Sequence, residues 1–555
     1  MSAVPVVWLN IKYIRALWFC GSEPGDGKSR GTWHRAAQYG TVYMTDGKAS
    51  FKSGVLDKKG GVAYGTYNNS YLTTGWDVLD IKAGYATQGP RQLNQHVMYA
   101  AGFAEGYMTL PKYHRRLGIA NYWQNIQSVW LNGKSKDFMA NLYHFFEEQE
   151  KYALNRISQD AGRTPYWRHV GYVLAQMEGL YDGHKATLPR FAIVFLNGVG
   201  DYIDIQYAIS REDRPDFKKM SHLQFKTFVE SHGHCSALIK VRAYENIFMS
   251  HSSWFLYSSM LRIYKHYDFN INDAATVNKQ MSFSSYPGFL ESLDDFYLIS
   301  NGLVMLQTTN NVFNMSLYDQ VKPESILAWQ RVRVAHMMSA SAADWGRIFS
   351  MENSGTYNNQ YMILDLNKIK IGKEIQDGAL YVVEQIPTLV EYADQTNILR
   401  NGHWPSYNVP FYEKVYNMSG YPETVARRGL DYSYQMAPRA KIFRRDADKV
   451  TDMKSMMDIM RYNNYLKDPY SEGDACKAVC CRGDLSSTNP RADGCYDTKV
   501  SDYNMAWKRQ SYAINGPTTG TGLKPFSWVP PFNDSHVGMP KTFDFKFEFM
   551  ERGLN

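Results

Sequence analysis

The sequence holds no run of ~18 uncharged apolar residues, so no segment of it is expected to cross a bilayer as a helix. It has no GxSxG nucleophile elbow, which argues against an α/β-hydrolase lipase, and no HExxH zinc motif. The glycines of "GSEPGDGKS" (21–29) lack P-loop spacing, and "GVGD" (198–201) is not a dinucleotide fingerprint. "LDD" (293–295) lacks the rest of a calcium loop. Charge is sparse, at 21% of 555 residues with a net of +7, and the densest basic run, "RAKIFRRD" (439–446), is too short to suggest nucleic acid as a partner. Nothing reads as low-complexity, and no repeat of fixed period appears. What is present is a long chain rich in aromatics (15%), able to bury a large core.

Cysteine is scarce, with six in all, but four of them cluster as Cys476, Cys480, Cys481 and Cys495. Their spacing lacks CxxC pairs and no histidine stands beside them, so disulfides fit better than zinc. A bond between the adjacent Cys480 and Cys481 is strained, which leaves two connectivities. Cys476–Cys481 with Cys480–Cys495 is the favoured one. Disulfides imply an oxidising compartment. Four N-x-S/T sequons, at Asn68, Asn314, Asn417 and Asn533, agree with export. The N-terminal segment 1–38 has an apolar run interrupted by Lys12 and Arg15, and reads as a leader or an unstructured tail.

Three stretches carry helical period: Leu93 to Leu110, Lys136 to Ile157, and Pro165 to Gly183, the last opened by Pro after Thr164 and closed by Gly. Ile209 to Gln224, charged and containing Pro, reads as an exposed linker. Strand patterns follow in "SALIKV", "ENIFMSHSSW", "NQYMILDL" and "ALYVVEQIPTLVEY", and "FYLISNGLVMLQTTNN" reads as a hairpin turning at Asn301-Gly302. Helices gathered before a long run of strands predict a layered α+β fold.

Cys235 stands apart, with no other cysteine within two hundred residues. It follows the polar run "SHGH" and opens a strand. That is the arrangement an N-terminal nucleophile hydrolase needs: the side chain breaks the peptide bond before it, and the freed α-amine serves as general base. The unperturbed pKa of such an amine, about 7.7–8.0, suits proton abstraction near neutrality. The bland alternative is one more buried structural cysteine.

The stretches "HGHCSALIKV", "HSSWFLYSSMLRIYKHYDFNI", "NSGTYNNQYMILDL", "WPSYNVPFYEKVYN" and "MRYNNYLKDPYSEGDACKAVCCR" resemble the phospholipase B-like family, and the resemblance runs from about Tyr39 to the C-terminus. It implies a four-layer αββα sandwich of the N-terminal nucleophile hydrolase type. One precursor would be cut between His234 and Cys235 into chains 39–234 and 235–555 that stay associated. It further implies a glycosylated lysosomal or secreted hydrolase, without cofactor or metal, that removes fatty acyl chains from glycerophospholipids with at most peripheral contact with membrane lipid. Relatives by fold, the bile-salt hydrolases and penicillin V acylases, cleave amides, so an amidase acting on N-acyl substrates is the alternative. A lipid-binding glycoprotein without turnover is the alternative of another class. Carried over by position, Cys235 is the nucleophile and His251 contacts its thiol or amine. Trp254 walls the site, Asn310 and Asn408 supply oxyanion donors, and Arg439 orders the site by hydrogen-bonding near the nucleophile.

Overall fold

A computed structural model describes residues 38–89, 92–110, 118–184, 188–231 and 234–554. The leader expected at 1–38 lies outside these residues apart from Gln38, which opens the strand Gln38–Thr45. Among the described residues no helix is long and apolar enough to cross a membrane.

Two large sheets pack face to face. The first has eleven strands, running from an edge at Leu389–Asp394 through Leu380–Ile386, Asn359–Asp365 and Leu303–Thr309 to Ile263–Phe269. There it pairs in parallel with Asp77–Ala83 and continues into Ala63–Asn68, Gln38–Thr45 and Lys48–Ser53. The second has seven strands, with Asn246–Leu256 held between His234–Arg242 and Asp497–Asp502. Side chains alternate across a strand, and this divides the core. Ala237, Ile239, Val241 and Met249 face the gap between the sheets, where they meet Leu298, Leu306 and Met362 of the first sheet. Leu238 and Phe248 point the other way, onto Ile442, Phe443 and Met456 of the helices Pro438–Asp446 and Met453–Met460. The outer face of the first sheet is covered by the helices Asn94–Met108, Lys136–Asp160 and Pro165–Gly183 and by others later in the chain. The order is helix, sheet, sheet, helix, as the family resemblance implied.

Local chemistry explains the helix ends. Ser135 accepts from the Phe138 amide, capping Lys136–Asp160, and Pro165 occupies the first turn of Pro165–Gly183, where a missing N–H costs nothing. The helices Asn94–Met108 and Pro165–Gly183 touch backbone to backbone. A Cβ on Gly179 would lie 1.9 Å from the Tyr99 carbonyl oxygen, and one on Gly102 would lie 1.9 Å from that of Gln176. Gly179→Val forces these backbones apart in a packed core, and should lower stability by about 3 kcal/mol or more. Thermal unfolding of the variant measures this, and an unchanged Tm would contradict the close approach.

Three sequence expectations need correction. Four strands precede the long helices, at 38–83; they are short and interrupted by Gly40 and Gly65, which weakens their alternation. The helices Ala328–Met338 and Ala342–Phe349 interrupt the strand-rich half. The linker expected at Ile209–Gln224 is also shorter than that, because the helix His222–Ser231 begins within it. Phe225 of this helix is buried among Phe217, Phe313 and Tyr432, and that apolar contact overrides the charged composition before it.

Candidate active site

Cys235 is the second residue of the strand His234–Arg242, and lies opposite Ser253 in the hairpin partner Asn246–Leu256. Between these strands Ala243 and Tyr244 both take positive φ (45° and 60°), and the Glu245 amide closes the turn on the Arg242 carbonyl at 2.7 Å. Three residues, none of them glycine, thus connect the strands, and the register they set pairs Arg242 with Asn246 and brings Ser253 to Cys235. The Cys235 side chain shares the inter-sheet face with Ala237 and Ile239 and is only 5% exposed. Burial pushes its thiol up to about 12, against the Trp254 backbone and the charge of Lys499, which pull it down. A neutral, buried thiol is a poor nucleophile without a base beside it.

The backbone of Cys235 is held at both ends by side chains. Its N–H donates to Asn408 Oδ1 at 3.2 Å, and its carbonyl accepts from Arg439 Nη1 at 2.6 Å. Arg439 comes from the first turn of Pro438–Asp446 and also donates to Ser236 Oγ at 3.2 Å. Its guanidinium lies 4.3 Å from the ring centroid of Trp254, and burial lowers its pKa to about 9. Trp254 points away from the inter-sheet gap. It packs on Cys480, Cys481 and Cys495, and the disulfides are Cys476–Cys481 and Cys480–Cys495, the favoured connectivity.

The two asparagines are placed differently from the oxyanion role expected of them. Asn408, at φ 69°, turns its oxygen toward Cys235 and donates Nδ2 to the Thr309 carbonyl at 2.6 Å. Asn310 is the next residue after Thr309; its Nδ2 donates to Glu384 Oε1 at 3.4 Å, while its Oδ1 is buried without a hydrogen-bond partner. His251 is displaced too. It faces Ala237 rather than Cys235, and its Nδ1 accepts from the Lys499 ammonium at 3.1 Å, so the expected contact with thiol or amine is replaced by one with Lys499. Burial and Lys499 hold its imidazole neutral, well below the usual histidine range.

Beneath Cys235 lies a charged network that sequence reasoning missed. Lys499 Nζ donates to Ser253 Oγ at 2.6 Å and pairs with Asp294 at 2.6 Å and Asp497 at 2.7 Å. Arg262 pairs with the same two aspartates at 2.9 and 2.8 Å. The side chains of Arg262, Lys499 and Asp497 are 0% exposed. His251, Asp294 and Asp497 converge as a metal site would, but the Lys499 ammonium already bonds all three. In the sequence, Lys499 sits in "DTKVSD" and reads as a solvated strand residue, and Asp294 sits in the "LDD" noted only for its lack of a calcium loop.

A cleft of about 130 Å³ opens beside Arg439, lined by Trp254, Tyr407, Asn408 and Tyr421 and closed by Lys226, Val229 and Glu230 of His222–Ser231. That helix is tied down by ion pairs from Lys226 to Asp474 and from Arg491 to Glu230, the latter at 3.0 Å. Of the sequons, Asn68, Asn417 and Asn533 are exposed. Asn314 instead caps a 3-10 turn and donates Nδ2 to the Met418 carbonyl at 3.2 Å.

The Phospholipase B family profile matches residues 63–550. The chain is 52% identical over 524 residues to "Phospholipase B-like 1" of Rattus norvegicus, which covers 92% of each chain. It is 50% identical over 525 residues to "Phospholipase B" of Crotalus adamanteus, at 92% of each, and 35% identical to "Phospholipase B-like protein B" of Dictyostelium discoideum, at 87% of this chain and 84% of that one. The chain belongs to the phospholipase B family.

Proposed function

We propose that the protein is a lipid hydrolase whose precursor cuts itself between His234 and Cys235, and that the freed Cys235 then removes acyl chains from glycerophospholipids. The observation that carries this reading is the grip on the Cys235 backbone: Asn408 holds its nitrogen and Arg439 its carbonyl. In an ordinary strand those groups would pair with a neighbouring strand. Here the nitrogen is held where an amine base would stand, next to its own thiol.

In the first event the Cys235 sulfur attacks the His234 carbonyl carbon, the C–N bond breaks, and the amine leaves with the thiol proton. Water then hydrolyses the thioester, leaving chains that end at His234 and begin at Cys235. In turnover the α-amine takes the thiol proton and the thiolate attacks the ester carbonyl. The resulting ammonium protonates the departing glycerol oxygen, and water, deprotonated by the amine, releases the fatty acid.

The chains should remain together, because the parallel pair Asp77–Ala83 with Ile263–Phe269 joins the two sides of the cut within one sheet and one core. With His222–Ser231 seated, the cleft's 130 Å³ falls below the ~300 Å³ of small-molecule sites. Cleavage unties this helix from the nucleophile strand, and the acyl chain would take its place. Two disulfides and three exposed sequons suit a secreted or lysosomal protein.

The test is N-terminal sequencing of the purified protein, together with mass-spectrometric detection of fatty acid released from phosphatidylcholine vesicles. An uncleaved chain that still releases fatty acid would refute the mechanism. Release from N-acyl amides alone would give the amidase reading. Arg439 supplies a further check. A cation beside the α-ammonium lowers the amine's pKa, so Arg439→Gln should raise it and move the acid limb of the pH–rate profile upward by about one unit. The rate should also fall. A profile unchanged in shape would remove Arg439 from the amine's surroundings.

A further inference from the structure

Glu384 is fully buried in the strand Leu380–Ile386 of the first sheet, and no lysine or arginine among the described residues pairs with it. Its charge is met by N–H donors instead. Oε1 accepts from Gln360 Nε2 at 2.7 Å, from the Phe411 amide at 2.7 Å and from Asn310 Nδ2 at 3.4 Å, and Oε2 accepts from the Tyr412 amide at 2.9 Å. These donors come from two different places. Gln360 stands opposite Glu384 in the same sheet, whereas Phe411 and Tyr412 belong to the loop that leaves the second sheet after His403–Ser406 and carries Asn408. Asn310 directly follows the strand Leu303–Thr309. One carboxylate therefore braces the loop whose Asn408 holds the Cys235 nitrogen and the residue that follows Thr309, whose carbonyl accepts from Asn408.

We propose that Glu384 is a positioning residue for Asn310 and Asn408, an assignment that rests on the Cys235 reading above. A carboxylate offers only acceptors, so it dictates that Asn310 turns its Nδ2 inward and leaves Oδ1 unpartnered on a cavity it lines with Tyr357 and Phe228. It also accepts from two half-buried loop amides, and this keeps Asn408 at its left-handed φ with Oδ1 on the Cys235 nitrogen. A second tie, from the Tyr421 hydroxyl to the Asn408 carbonyl at 3.0 Å, secures the loop but not the orientation of Asn310. Burial raises the carboxyl to about 7, while the four donors oppose the rise.

The experiment compares the full-length protein with Glu384→Gln, Asn310→Ala and the double variant, using phosphatidylcholine vesicles as substrate. Glutamine must place an NH₂ against one of the donors. kcat should fall by about 100-fold, as misplacement of site groups by an ångström can cost, with KM nearly unchanged. Asn310→Ala should then cost far less in the Glu384→Gln background than in the parent, because its orientation is already lost. A kcat within two-fold of the parent, or losses that simply multiply, would overturn the assignment. Should Glu384→Gln fail to fold, Glu384→Asp decides: it keeps the charge and withdraws the oxygens, so an unchanged kcat overturns the proposal and a reduced kcat at normal Tm supports it. Cys235→Ala, run alongside, separates the two readings. An active Cys235→Ala protein defeats the nucleophile assignment, whereas an inactive one with a normal Glu384→Gln protein defeats only this inference.

Discussion

Cys235→Ala should leave the chain in one piece and without hydrolytic activity. In the proposed mechanism both chemical events use the same sulfur, so the substitution should remove peptide cleavage and ester turnover together, with a rate loss of more than ~10³-fold. The fold should survive. Alanine fits a site already shared with Ala237 and Ile239, and the Asn408 and Arg439 contacts are to the backbone, which the substitution leaves intact. Cys235→Ser keeps a weaker nucleophile and should be cut slowly. Gel electrophoresis, fatty-acid release and Tm on the same samples check all three statements. A fully cleaved Cys235→Ala protein would transfer the cut to another residue or to an external protease.

Lys499→Met should be the most destabilising single change at the site. Lys499 and Arg262 together balance Asp294 and Asp497, and removing one cation leaves a buried negative charge without its partner, a loss of about 3–5 kcal/mol. The loss should depend on pH. In the parent, burial and Lys499 hold His251 neutral. In the variant, His251 faces two carboxylates without the competing ammonium, and its folded pKa should rise above the unfolded value of about 6.5. A histidine with a raised folded pKa adds stability that is fully present below the unfolded pKa and is lost as pH rises through the folded one. The deficit should therefore shrink at pH 5 and grow at pH 8. Denaturant unfolding at the two pH values measures it, and an equal deficit at both would show that His251 does not take up the missing charge. Ser253, which loses its 2.6 Å donor, couples the same change to the strand facing Cys235, so cleavage should slow as well.

The residues of this site differ in how far each was legible in the sequence. Cys235 was visible because its setting is local: a polar run, a lone thiol and an alternating strand. Arg439, Trp254 and Asn408 entered through resemblance alone, yet the structure brings all three to the Cys235 backbone or to the cleft beside it. His251 was placed one contact away from where it stands, since a two-residue step along the hairpin moves it from Cys235 to Ala237. Lys499, Asp294, Asp497, Arg262 and Glu384 were invisible. A charged residue in a strand reads as solvated, and nothing in "DTKVSD" or "YVVEQI" says that a second sheet covers it.

The sequence by itself determined the layered α+β class, the helical stretches read at 93–110, 136–157 and 165–183, the Asn301-Gly302 turn, the disulfide-bearing cluster and the isolation of Cys235, because each is written in nearest-neighbour chemistry or in a period of two or 3.6 residues. Tertiary structure alone decided that strands from both sides of Cys235 share one sheet, that a helix beginning within the expected linker lines the cleft, and that Asn408 offers Cys235 its oxygen rather than its amide. It also decided where the buried charges lie. The physical reason is the same for each: burial and the orientation of a polar group are set by partners up to hundreds of residues away, as with Cys235 and Asn408, and local pattern carries no record of them.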